Sequence, residues 1–82
     1  MAMSEYEWLD IFSDNLKDLM KEAGMTQKEL AEESGLTEAS ISRYIHKKRM
    51  PSVAALASIA YALPCADLDD LLYFGDRVET RI

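Results

Sequence analysis

The chain has 82 residues, 49% of them hydrophobic, with nine basic against fifteen acidic side chains and a net charge of -6. That length holds one packed core but not two, and a chain this small buries only about 60% of its unfolded surface, which leaves little room for an enzyme's cleft. Cys65 is the single cysteine, so an internal disulfide is excluded, and no run is long and apolar enough for a membrane helix; the expectation is one cytoplasmic, non-enzymatic domain over residues 1–82.

Helical spacing recurs five times, and most segments open on a residue whose side-chain oxygen can accept a first-turn amide. The first predicted helix, about 4–23, starts at Ser4, which forms a capping-box pattern with Glu7, with Met3 placed to pack on Trp8. Its apolar stripe is Trp8, Phe12, Leu16, Leu19, Met20 and Ala23, and Gly24 is placed to end it. The second, 27–34, follows a Thr26 and Glu29 capping box flanked by Met25 and Leu30, and Gly35 stops it. The third, 38–45, has Thr37 as its cap, with Leu36 before it and Ile41 four residues after it. Pro51 and Ser52 open a fourth, 53–63, with Val53, Leu56, Ala57, Ala60 and Leu63 as its apolar face and Pro64 as its end. Asp67 starts a fifth, 68–74, carrying Leu68, Leu71 and Leu72 and closed by Gly75. Leu71, Leu72, Tyr73 and Phe74 are more apolar than one buried face of a short helix needs, so this stretch either joins the core or forms a dimer contact. The tail, 75–82, alternates Val78, Thr80 and Ile82 with charged residues, the pattern of a frayed end or of an arm that extends such a contact.

Charge is distributed unevenly along these elements. Residues 1–36 carry -6 and residues 53–82 carry -3, whereas residues 37–52 set Glu38 against Arg43, Lys47, Lys48 and Arg49 for +3. Positive potential, which phosphate binding requires, is thus concentrated in the third helix and the turn after it.

Two short helices joined by a turn around a glycine fit the helix-turn-helix plan. Ala31 is small where the helices must cross, Gly35 frees the turn, and Leu30, Leu36, Ile41 and Tyr44 fall on the inward side. Glu38, Ala39, Ser42, Arg43 and His46 then face outward. The same residues also fit a plain helical hairpin with a solvated basic turn at 47–49, or an acidic adaptor that binds only protein.

The string TQKELAEESGLTEASISRYIHKKRMPS resembles the DNA-binding domain of phage repressor and Cro-like regulators, with Thr26, Gln27, Leu30, Ala31, Gly35, Ile41, Ser42, Arg43, Pro51, Ser52, Leu56, Ile59 and Ala60 as matching positions. The likeness runs from Thr26 to about Leu63. It implies an all-α, five-helix lambda-repressor-like bundle whose third helix, 38–45, enters the major groove of double-stranded DNA. The function implied is sequence-specific transcriptional regulation, most naturally repression; a homodimer fits it, with residues 71–82 as the contact that this chain's own apolar pattern offers, and an antitoxin of a toxin–antitoxin pair shares the pattern.

Carried over by position, Gln27 contacts phosphate or buttresses a base contact, and Thr37, Glu38, Ala39 and Arg43 face the groove. Arg43 can donate two hydrogen bonds to guanine, a contact worth about 1–3 kcal/mol of discrimination, while Ala39 suits a thymine methyl and Glu38 either accepts from a cytosine amine or repels phosphate. Ser42 can hydrogen-bond to phosphate or base, His46 falls on the phosphate side or the open surface, and Lys47, Lys48 and Arg49 hold register through the DNA backbone. Position 45 is isoleucine where the family pattern has glutamate, and position 47 is lysine where it has glycine. No cofactor or metal is expected: His46 and Cys65 stand nineteen residues apart across a proline, and Asp67, Asp69 and Asp70 suit a helix start.

Overall fold

Five side-chain oxygens set the starts of five helices. In the computed structural model, which describes residues 2–64 and 67–73, these are α1 (Glu5–Ala23), α2 (Gln27–Ser34), α3 (Glu38–Ile45), α4 (Val53–Ala62) and α5 (Leu68–Leu71), with no strand among the described residues. Ser4, Thr26 and Asp67 each accept the amide three residues on, and Glu7, Glu29 and Asp70 accept the cap's own amide in return. Thr37 and Ser52 accept from Ser40 and Ala55. Such a cap contributes about 1 kcal/mol. The Thr26 amide, and then its hydroxyl, holds the Glu29 carboxyl below its ordinary pKa. A depressed carboxyl pKa means that this capping box stabilises the fold above the ordinary glutamate value and is lost as pH falls through the lowered one.

Helix ends are closed locally in most cases and by a distant side chain at α5. Gly24 and Gly35 take left-handed φ angles of 67° and 74°, and behind them the Met25 and Leu36 amides donate to the Met20 and Ala31 carbonyls. α4 stops at Ala62, one residue before the expected end, because Leu63 precedes Pro64 and is extended (φ -84°, ψ 119°). α5 ends at Leu71 instead of the expected residue 74. The Asn15 amide donates to the Leu71 and Tyr73 carbonyls, both at 2.9 Å, and so takes up acceptors that a longer helix would use internally. Cys65, Phe74, Gly75 and the tail 75–82 lie outside the described residues.

Every helix sends at least one side chain to the centre: Phe12 and Leu16 from α1, Leu30 from α2, Ile41 from α3, Ile59 from α4 and Leu71 from α5 are fully buried. Burying each contributes about 1.5–3 kcal/mol. Two apolar faces differ from the sequence reading. On α1, Leu9, Ile11 and Ser13 are buried and Trp8 is only half-buried, because this helix packs against α3 on one side and α5 on another and its inner face exceeds one stripe. On α4, Val53 is 77% exposed and Ala57 exposed, and Ala55, Leu56, Ile59 and Leu63 are buried. Nearly every residue of α4 is apolar, so hydrophobicity alone selects no face; the neighbours α2 and α5 do. Among the described residues no helix is long and apolar enough to cross a membrane.

Candidate nucleic-acid interface

α3 is held from behind. Ile41 and Tyr44 are buried, Ala31 is 4% exposed where α2 passes, and Phe12 meets the Tyr44 ring edge-on at 5.9 Å and 73°. Ser13, fully buried on α1, donates its hydroxyl proton to the Tyr44 carbonyl at 2.5 Å. This inner anchorage leaves the opposite side of α3 in solvent.

That outer side carries the expected residues. Thr37, Glu38, Ala39 and Arg43 are exposed, as are His46, Lys47, Lys48 and Arg49, while Ser42 and, at the start of α2, Gln27 are half-buried. Among the described residues no carboxylate lies within ion-pair distance of Arg43, Lys48 or Arg49. The Thr37 hydroxyl is engaged by its own helix, accepting from the Ser40 amide at 3.1 Å and donating to the Ser40 hydroxyl at 3.0 Å. His46 places Nδ1 2.8 Å from the Ser42 carbonyl; since a carbonyl only accepts, Nδ1 carries the proton, with the Ser42 hydroxyl 3.3 Å away. Nε2 is the ring nitrogen left for a further partner.

The turn after α3 contains a feature that sequence spacing hid. Lys47 has φ 61°, and it is the non-glycine residue with a positive φ among those described. Behind it the Lys47 amide donates to the Tyr44 carbonyl at 3.2 Å and the Lys48 amide to the Arg43 carbonyl at 2.8 Å. This is the same left-handed closure that glycine makes at Gly24 and Gly35. A side chain in this conformation costs about 1–2 kcal/mol. Its ammonium, expected on phosphate, turns to α1 and pairs closely with Asp10 and, at 3.3 Å, with Asp14. The Asp10 hydrogen bond leads in raising the Lys47 pKa above its ordinary value. A raised lysine pKa makes the pair stabilising below roughly pH 10.4 and lost as pH climbs through the raised value.

The stretch 71–74, read from sequence as either core or dimer contact, is described as far as Tyr73. Leu71 is fully buried, Leu72 packs against the core, and Tyr73 is 58% exposed.

Comparison with known proteins agrees with the family resemblance and the fold. The model of the HTH_3 helix-turn-helix family matches residues 16–71, more than half of the chain. An HTH_3 family transcriptional regulator from Vibrio cholerae superposes with a TM-score of 0.81 at 21% identity; the match covers 94% of this chain, which spans 42% of that protein's length. The hypothetical transcription factor NHTF from Neisseria gives 0.79 at 18% identity, covering 100% of this chain and 94% of that one. A variant of the restriction-modification controller protein C.Esp1396I gives 0.73 at 26% identity, covering 98% and 100%. No curated protein matches significantly in sequence. The five-helix repressor-like bundle expected from sequence is therefore the fold.

Proposed function

From the premise that the chain belongs to the HTH_3 helix-turn-helix family, we propose that it is a sequence-specific double-stranded DNA-binding regulator, acting as a repressor, that reads the major groove with α3. Residues 1–82 act on this reading as one domain. The observation that carries it is the coincidence of two independent patterns on one surface: the exposed face of α3 and the positively charged segment of an otherwise acidic chain.

Arg43 is the leading base contact, since it is exposed, sits in the last turn of α3, and presents the planar fork that matches guanine O6 and N7. Glu38, at the start of the same face, suits cytosine N4, and Ala39 a thymine methyl. Lys48, Arg49, His46 and Ser42 contact the sugar–phosphate backbone, and Gln27 supports them from the start of α2. Thr37 serves mainly as the cap that sets where α3 enters. The protein works as a homodimer joined through residues 71–82, of which Tyr73 is an exposed member, so that two α3 helices meet half-sites about one turn of DNA apart.

Selection from a random duplex pool tests this reading. It predicts an enriched two-fold motif, and Arg43→Ala weakens binding to that motif by about 1–3 kcal/mol and relaxes preference at one base pair. Unchanged affinity and preference in Arg43→Ala would remove α3 from the groove.

A further inference from the structure

Lys47 combines three properties that a phosphate contact does not need. It holds a left-handed backbone that glycine adopts freely, it closes α3 through the Lys47 and Lys48 amides, and it spans to two carboxylates on α1. Asp10 and Asp14 are four residues apart on one helix, so they stand one above the other on a single face. Two carboxylates at this spacing repel each other, and Asp14 also pairs with Lys17 at 3.6 Å. One ammonium between them attracts both and cancels one of their two charges. The cost of the strained φ is partly offset by the same contact, which ties the turn to α1 directly beside the helix that Ser13 also anchors.

We infer that Lys47 is a positioning residue for DNA recognition: its ammonium, held by Asp10 and Asp14, fixes the turn after α3 against α1 and so sets the direction in which Lys48 and Arg49 reach the DNA backbone. It offsets part of the negative charge on that face of α1 and makes no phosphate contact of its own. This rests on the DNA-binding reading above. The glycine usual in the family pattern at this position permits the turn; lysine permits it at a strain cost and also locks it to the next helix.

The test measures affinity for the selected duplex across a salt series, well below the melting temperature. Lys47→Gly relieves the backbone strain and removes the pairs, so the melting temperature changes little. Its affinity falls roughly two- to fivefold, the range for exposed ion pairs, and the slope of log affinity against log salt stays that of the wild type. A slope shallower by about 0.9 would place Lys47 on a phosphate and overturn the inference. Asp10→Asn combined with Asp14→Asn keeps every basic residue and removes two negative charges. Long-range attraction alone makes that variant bind more tightly; positioning makes it bind the selected duplex more weakly, and tighter binding would overturn the inference. Lys47→Arg retains the pairs and restores wild-type affinity. If the wild-type chain selects no duplex, the DNA-binding reading itself fails. If the wild type binds and the Lys47→Gly slope drops, only the role of Lys47 fails.

Discussion

Ser13 and Lys47 approach the Tyr44 carbonyl from different elements, the first through a hydroxyl on α1 and the second through its amide in the turn. Replacing Ser13 by Ala removes one of these donors and leaves the carbonyl partnered, so the cost is that of a net hydrogen bond, about 0.5–1.5 kcal/mol. Urea unfolding with an unchanged slope checks it, and an unchanged midpoint would show that the hydroxyl contributes nothing. Neither residue's role was legible in the sequence. The partner of Ser13 is a backbone atom 31 residues away, and that of Lys47 is a carboxylate 37 residues away. A count of charges treats Lys47 like Lys48 and Arg49, and only the fold shows that its charge is balanced locally. Arg43 and Glu38 were legible because their exposure follows from which side of a short helix is apolar, and Ile41 and Tyr44 fix that side.

At the scale of elements, the helix starts were readable because a cap is a contact within three residues, and α2 and α3 fall where Thr26, Gly35 and Thr37 place them. The end of α5 was not, since Asn15 closes it from 56 and 58 residues away in sequence. The inner faces of α1 and α4 were misread for the same reason: which side of a mostly apolar helix is buried depends on its neighbours. Asn15→Ala leaves the Leu71 and Tyr73 carbonyls without that donor, and we expect α5 to loosen while the helix-turn-helix stays closed. Hydrogen exchange checks this. The Leu72 amide, which bonds to the Leu68 and Asp69 carbonyls, exchanges faster in the variant, and those of Leu30 and Ile41 do not. Equal acceleration at all three would make Asn15 a global determinant.

For the whole molecule the decisive quantity is how little positive charge is available. With Lys47 turned to α1, Arg43, Lys48 and Arg49 remain, and two or three neutralised phosphates give a salt slope of roughly -2 to -3 per monomer. The full basic segment would have given roughly -3 to -4. An acidic chain with so shallow a slope binds weakly as a monomer, so the account expects a dimer that doubles the slope. Sedimentation at tens of micromolar should show self-association, and Tyr73→Ala should weaken it; a monomer at that concentration would remove the dimer from the account.

The central claim, that α3 reads the major groove, is tested most directly by methylation interference on the selected duplex. Guanine N7 lies in the major groove and adenine N3 in the minor groove. The account predicts that N7 methylation at one guanine in each half-site abolishes binding by the wild type and matters much less for Arg43→Ala, while N3 methylation at the same half-site is tolerated. Interference from adenine N3 with none from guanine N7 would contradict it.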